Sequence, residues 1–315
     1  MDWLMVLAGL VMLLIAGDAL VKGAVNLSLR LGVPALIVSL TVVAFGTSAP
    51  ELLVSVSAIR DGAPGIALGN VVGSNIANVL LVLGVPALFT TLYTSKCDTR
   101  SSYLQMIAAT LLFMALACRG VIDWKSGIVL LVALAAMLAM AAHQTMKHRR
   151  NCRANEGDED VEGADPSLPV WKITAYLVSG MIFLPLGAEL LVKGAVSIAR
   201  EFGMSETVIG LTLVAVGTSL PELATTVSAA LRRQADVAVG NVIGSNMFNL
   251  LGIMGVASFF GTIPVGDEFL SFGFWVMLGS SLLLIPFVFM KRDITRPIGA
   301  ALTIGYVAVT LMLIY

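Results

Sequence analysis

Apolar positions along the chain gather into ten runs of spanning length, at about 3–25, 33–58, 66–91, 103–119, 126–146, 171–199, 206–230, 237–262, 270–290 and 297–315. A helix needs about 20 apolar residues to cross the hydrocarbon core of a bilayer, so each run predicts one membrane-spanning helix. The one long interruption is 147–170, where a basic stretch gives way to an acidic one and then to two prolines. That composition predicts an exposed linker without fixed structure. The expected organisation is therefore five spans over 1–146, a linker over 147–170 and five more spans over 171–315.

Composition sharpens this. The 315 residues are 58% hydrophobic and 12% charged, with a mean hydropathy of +0.94. Soluble domains carry about 25% charged residues, so the chain reads as an all-α integral membrane protein whose surroundings are the lipid bilayer. A net charge of −1 gives no reason to expect a nucleic-acid partner. Cys97, Cys118 and Cys152 are odd in number and lack metal-ligand spacing, so they are expected to be inert. The opening MDWLMVLAGL has no basic segment before its apolar run and is expected to be a retained helix.

Halfway through, the chain repeats itself. LTVVAFGTSAPELLVSVSA at 40–58 recurs as LTLVAVGTSLPELATTVSA at 211–229, and an offset of 171 keeps the two halves in register from Leu20 to Gly84 without a gap. Lys22 falls under Lys193, and GNVVGSN at 69–75 under GNVIGSN at 240–246. Because each half holds an odd number of spans, the second copy must enter the membrane from the opposite side, which gives two inverted five-helix repeats, an arrangement typical of secondary transporters. Leaving aside Lys22 and Lys193, an outside N-terminus puts thirteen Lys and Arg residues in inner loops and only Arg60, Arg119, Lys125 and Arg200 outside. The positive-inside rule then places both termini outside and the linker in the cytoplasm. In a Gram-negative host this means the inner membrane.

The repeated segment carries the chemistry. Glu51 and its twin Glu222 lie within spans otherwise fit for lipid, where an ionisable group costs about 2.5–3.5 kcal/mol on insertion scales and so faces a cavity, a partner or an ion. Thr47 and Ser48 precede Glu51 by four and three residues, so a helical path gathers their oxygens on one face. Pro50 frees at least the carbonyl of Gly46, and broken helices at matching positions of two repeats point to a substrate site. The next helix adds Asn70, Ser74, Asn75 and Asn78, and its twin adds Asn241, Ser245, Asn246 and Asn249. Carboxylates, hydroxyls and amide oxygens with no histidine or thiolate describe a site for a hard cation such as Ca²⁺ or Na⁺. Two carboxylates near the midplane repel each other, and a divalent cation cancels that repulsion. Asn75 and Asn246 are more simply read as interhelical hydrogen bonds, and Lys22 and Lys193 as snorkelling lysines paired at i, i+4 with Asp18 and Glu189.

GTSAPE, GTSLPE, GNVVGSN and GNVIGSN resemble the two alpha repeats of the sodium/calcium exchangers of the calcium/cation antiporter superfamily, in a small prokaryotic form. The resemblance covers both halves. It implies a ten-helix antiporter working by alternating access, in which the first and sixth helices slide over a core made by the second, third, seventh and eighth. It also implies Glu51 and Glu222 as shared carboxylates and the carbonyls of Thr47 and Thr218 as further Ca²⁺ ligands. Ser48, Ser74, Ser219, Ser245 and the Ala215 carbonyl would serve Na⁺, with Asn78 and Asn249 lining the centre. Potassium-dependent exchangers, and some prokaryotic relatives, carry aspartate where Asn249 stands, so exchange is expected to be independent of K⁺, and a two-carboxylate core holding one Ca²⁺ or, as the resemblance implies, three Na⁺ would make it electrogenic, with H⁺ or K⁺ coupling as the alternative. No cofactor is implied, and a monomer is expected. An intramembrane hydrolase using a carboxylate dyad is the remaining class, but it gives no reason for paired Gly-Thr-Ser-x-Pro-Glu segments.

Overall fold

The computed structural model describes residues 1–152, 165, 167–203 and 215–314. Most of the acidic part of the linker and the first half of the seventh expected span lie outside the described residues. Helix α1 is Asp2–Leu31, and the second run is a pair, α2 (Ala35–Thr47) and α3 (Ala49–Arg60), bent by 42° at Ser48. Helices α4 (Pro64–Phe89), α5 (Arg100–Ala117), α6 (Trp124–Cys152) and α7 (Val170–Glu201) follow. The described part of the second half then gives α8 (Ala215–Thr218), α9 (Leu220–Leu231), α10 (Ala235–Ala257), α11 (Phe269–Phe289) and α12 (Arg296–Ile314). Among the described residues seven helices are long and apolar enough to cross a membrane, and the bent α2–α3 pair makes an eighth. The chain is an all-helical, multi-pass membrane protein. The expected tenth run appears as α12, apolar over Arg296–Met312, while the seventh is represented by α8 and α9.

Burial sorts the helices by position. Within their most apolar stretch α4 is 78% buried and α10 89%, whereas α1 is 33% and α7 28%. Helices α4 and α10 are therefore central, and α1 and α7 lie at the periphery with one face to lipid. The apolar core divides accordingly. A large cluster runs through α4, α5, α10 and α11, and a smaller one, built mainly from Leu13, Leu20, Ile173, Leu177 and Leu184, joins α1 to α7.

The α1–α7 contact is a seam of glycines. Gly9 faces Leu191, Leu13 faces Gly187, Leu20 faces Gly180 and Gly23 faces Leu177, so the two helices run antiparallel. Small residues let the backbones approach closely, which is how helices associate in lipid, where apolar burial offers no driving force between them. Two short clips join the halves: Val121–Ile122 pairs antiparallel with Ile263–Pro264, and Leu92 bridges Ile294. Leu92 and Val121 lie beyond opposite ends of α5, so one clip sits at each end of the molecule. Their residues correspond closely at the repeat offset, Leu92 with Ile263 exactly 171 positions apart.

One expected pairing is corrected. Glu189 and Lys193 do form an ion pair at 2.5 Å. Asp18, however, pairs at 2.6 Å with Arg232 beyond the end of α9, and Lys22 lies 5.0 Å from the centre of the Tyr176 ring. Packing of α1 against α9 brings a guanidinium to Asp18, and the aromatic face on α7 attracts the lysine instead. The position equivalent to Arg232 in the first half is Asp61, so the same pair cannot form there.

These contacts predict a clear ranking. A Cβ on Gly9 would lie 2.6 Å from the Leu191 backbone nitrogen and 2.7 Å from the Gly187 oxygen, atoms that cannot rotate away. Gly9→Ala should cost about 1–3 kcal/mol and lower the melting temperature in detergent. The Asp18–Arg232 side chains are 49% and 26% exposed, so Asp18→Asn should cost under about 1 kcal/mol. A larger loss for Asp18→Asn than for Gly9→Ala would overturn this account of the seam.

Candidate functional site

Both glutamates stand just past a break. Ser48, with φ −86° and ψ 5°, separates α2 from α3, and Ser219, with φ −87° and ψ 5°, separates α8 from α9. Pro50 and Pro221 lie in the first turn of α3 and α9, where a missing N–H costs nothing to the new helix, and each removes the N–H that would have bonded back across the break to the carbonyl of Gly46 or Gly217. The helix therefore restarts instead of continuing. Glu51 and Glu222 fall in the first turn of the new helix, where the unpaired amides and the helix dipole favour a negative charge.

The two carboxylates are fully buried, at 0% exposure each, and close enough for their charges to interact. Around them the halves interlock. Ser48 Oγ donates to Glu222 Oε1 across the halves at 3.1 Å, and the Thr47 and Ser245 hydroxyls, 3.4 Å apart, lie in the same surroundings. Ser219 Oγ lies 3.5 Å from Ser74 Oγ, again between halves. Asn78 Nδ2 donates to Asn246 Oδ1 at 3.0 Å, and Asn246 Nδ2 to the Asn75 carbonyl at 3.4 Å. Asn246 is thus interhelical in its hydrogen bonds, as expected, whereas the Asn75 side chain is not: its Nδ2 donates to the Val71 carbonyl of its own helix at 2.9 Å, because the i−4 carbonyl lies within its reach.

Turns of wider pitch begin at Asn78 and at Phe248, one residue before Asn249. Such π-helical turns rotate the side chains that follow them out of the regular register, and they often mark functional positions. Nothing in the residue types forecast them.

What is left over is chemically telling. Among the described residues, seven buried side-chain atoms have no hydrogen-bond partner: Glu51 Oε1 and Oε2, Glu222 Oε2, Asn75 Oδ1, Asn78 Oδ1, and Asn249 Oδ1 and Nδ2. Six of the seven are oxygens. Each unsatisfied buried polar atom costs about 1–3 kcal/mol, so a set of this size marks a place built for something else to satisfy it. Hard cations take six to eight oxygen ligands, a good match to such a set. Among the described residues no group of three or more His, Cys, Asp or Glu is assembled, so neutral oxygens must supply much of any coordination.

Of the residues singled out from sequence, the structure joins Thr47, Ser48, Ser74, Ser219, Ser245 and Glu222 by direct contacts, and leaves Glu51, Asn78 and Asn249 with orphaned atoms. Thr218 donates instead to Asn70 Oδ1 at 3.3 Å, and Ala215 opens the described part of the second break. Ser55 and Thr226 escaped sequence reasoning, though each follows its glutamate by four residues in both copies. That shared hydroxyl was the available signal.

A family model described as sodium/calcium exchanger protein matches residues 1–142 and 172–315. This chain belongs to the sodium/calcium exchanger family. Sodium/calcium exchanger MaX1 of Methanosarcina acetivorans is 34% identical over 352 aligned positions, covering 100% of this chain and 99% of that protein. Inner membrane protein YrbG of Escherichia coli is 31% identical, covering 98% and 95%. A solved structure of the sodium–calcium exchanger NCX_Mj, soaked with 2.5 mM Na⁺ and 0.1 mM Ca²⁺, superposes with a TM-score of 0.82 at 31% identity, covering 98% of this chain and 96% of that one. A member of this family is a secondary transporter and not an enzyme, which removes the hydrolase reading.

Glu51→Gln and Glu222→Gln should therefore each insert and fold, since the amide is nearly isosteric, yet lose cation exchange. Removing one partner from a buried charge cluster costs about 3–5 kcal/mol, so apparent cation affinity should fall by at least about 100-fold. Flux in proteoliposomes holding matched amounts of protein checks this, and normal exchange in either variant would sink the two-carboxylate site.

Proposed function

We propose that this chain exchanges Na⁺ for Ca²⁺ across the membrane by alternating access, without K⁺ and with net charge movement. The observation that carries the proposal is the buried pair Glu51 and Glu222, three of whose four carboxylate oxygens have no hydrogen-bond partner. In this reading the two carboxylates and the carbonyls of Thr47 and Thr218 hold Ca²⁺. Ser48, Ser74, Ser219, Ser245 and the Ala215 carbonyl serve Na⁺, and Asn78 and Asn249 line the centre. The division of the core into an α1–α7 pair and a larger remainder supports a sliding motion, because a seam of close-packed glycines moves as a unit.

The same reading takes the fold as ten spans in two inverted repeats, 1–146 and 171–315, joined by a cytoplasmic linker over 147–170, with both termini outside and the protein a monomer in the cell's inner membrane. Clips of matching residues at opposite ends of α5 support the inversion. Within that linker the backbone amide of Asp165 donates to Asn26 Oδ1 of α1 at 2.9 Å.

The charge count gives the sign of the voltage effect. With both glutamates ionised, one Ca²⁺ makes the core neutral, whereas three Na⁺ would make it +1. One elementary charge crossing the membrane is worth about 2.3 kcal/mol per 100 mV. An inside-negative potential should thus assist Ca²⁺ extrusion against Na⁺ entry by more than about tenfold in the attainable gradient.

Proteoliposomes should take up ⁴⁵Ca²⁺ against an opposing Na⁺ gradient, not against K⁺ or H⁺ gradients imposed separately, and should respond to a clamped potential. Uptake without any counter-ion would indicate a channel, and indifference to potential would require two Na⁺ per Ca²⁺ or a proton in the sodium step. Asn249→Asp should add a third carboxylate and bring a new K⁺ or H⁺ sensitivity with little loss of folded protein. Unchanged cation dependence in that variant would remove Asn249 from the site.

A further inference from the structure

Two asparagines of the repeated GN pairs sit outside the set of oxygens that awaits a cation, because their polar atoms are engaged. Asn70 Nδ2 donates to the Glu51 backbone carbonyl at 3.4 Å and to Ser55 Oγ at 3.3 Å, and Asn70 Oδ1 accepts from Thr218 Oγ1 at 3.3 Å. Asn241 does the same with the partners exchanged: Nδ2 to the Glu222 carbonyl at 3.4 Å and to Thr226 Oγ1 at 3.2 Å, Oδ1 from Thr47 Oγ1 at 3.3 Å. Each amide thus spends both N–H groups on the helix of its own half's glutamate and its oxygen on the helix break of the other half. The orientation is fixed by chemistry, because a flipped amide would set its oxygen against the glutamate carbonyl.

We propose that Asn70 and Asn241 are positioning residues, crossed braces that fix each glutamate relative to the opposite break and so hold the two halves of the cation site at one spacing. The proposal rests on the two-glutamate exchange reading above. Thr47 shows why the brace is specific. Its hydroxyl has one proton and lies 3.3 Å from Asn241 Oδ1, 3.3 Å from the Ala44 carbonyl and 3.4 Å from Ser245 Oγ; the Ala44 carbonyl also accepts the Ser48 amide and the Ser245 hydroxyl can supply its own proton, whereas Asn241 Oδ1 depends on Thr47 as its donor. Losing the threonine hydroxyl would leave a buried asparagine oxygen unsatisfied, a cost that reappears as misplacement of the break. The threonine carbonyl, proposed as a Ca²⁺ ligand, belongs to the same residue whose side chain the brace holds.

A brace that crosses halves makes a distinctive prediction. Thr218→Val removes the hydroxyl at constant shape and should raise the apparent KM for Ca²⁺ about tenfold, the size of one lost buried hydrogen bond, while Thr218→Ser should restore it to within about twofold. Asn70→Ala and Thr218→Val, combined, should lose no more than the worse single variant. Asn70→Ala combined with Thr47→Val, which cuts both braces, should multiply the two losses. If Asn70→Ala yields no folded protein, Asn70→Ser takes its place, and the Thr218→Val and Thr218→Ser comparison stands by itself. A merely structural role would reduce folded protein and leave KM unchanged. An unchanged KM in Thr218→Val, or multiplied losses for the Asn70–Thr218 pair, would overturn the brace. The Ca²⁺-dependent shift in melting temperature in detergent reads binding without transport. If wild type shows that shift but no Na⁺-driven uptake, the exchange reading fails. The brace then stands or falls on whether Thr218→Val diminishes the shift and Thr218→Ser restores it.

Discussion

One electrostatic constraint governs the centre of this structure: two carboxylates share the buried interior of a helical membrane protein with, among the described residues, no protein cation paired to either. Charges at such depth are retained only where a partner or an ion compensates them. Here the immediate surroundings of Glu51 and Glu222 are hydroxyls and amides, and several of their oxygens have no partner. Among the described residues no lysine or arginine is seen paired with either glutamate, and the ion pairs Asp18–Arg232 and Glu189–Lys193 lie at exposed or half-buried positions. The site is thus kept as an acceptor-rich space whose compensation must come from outside the chain.

Holding such a site open requires backbone that does not satisfy itself. Pro50 and Pro221 interrupt the helical ladder at equivalent points, and irregular backbone at membrane depth is tolerated where it lines a cavity or is buried in protein. The breaks would be loose if nothing spanned them. Contacts between halves supply the fixing: Ser48 to Glu222, Asn78 to Asn246, and the Asn70 and Asn241 amides to the opposite threonines. Central helices α4 and α10 carry those amides because they alone are buried on nearly every side.

Much of this was legible in the residues. The spans followed from hydropathy, the two glutamates from their cost in lipid, and the breaks from Gly46 and Pro50 with their twins. Boundaries came within a few residues in places, as for 66–91 against Pro64–Phe89, whereas α6 continues to Cys152, past the end of the 126–146 run and into the stretch expected to lack fixed structure. Three features were not legible, each for a physical reason. The π-helical turns at Asn78 and Phe248 arise from tertiary packing of residues with ordinary helical preferences. Asp18 chose Arg232 over Lys22 because helix packing brought a distant guanidinium nearer than the local i, i+4 neighbour. The engagement of Asn70 depends on Thr218, 148 positions away, and no local pattern encodes such a partner.

The repeat also separates what is fixed from what differs. The Asn70 and Asn241 networks agree to within 0.1 Å at every contact, so they hold in both halves alike. Around them the halves part: Ser48 reaches Glu222, while Ser219 is paired with Ser74, and Asp18 meets Arg232, while the equivalent Glu189 pairs within its own helix. In the proposed inverted-repeat exchanger, the two halves interchange their roles when the transporter changes the side it opens to. Contacts present in both halves are then available in either state, and contacts present in one half are those that the change must break. On that reading the asparagine braces belong to the frame of the site, whereas Ser48 to Glu222, whose residues recur in the other half as Ser219 and Glu51, belongs to the conformation; Asp18 to Arg232 differs for another reason, because Asp61 stands at the position equivalent to Arg232 and the residues themselves rule out a matching pair.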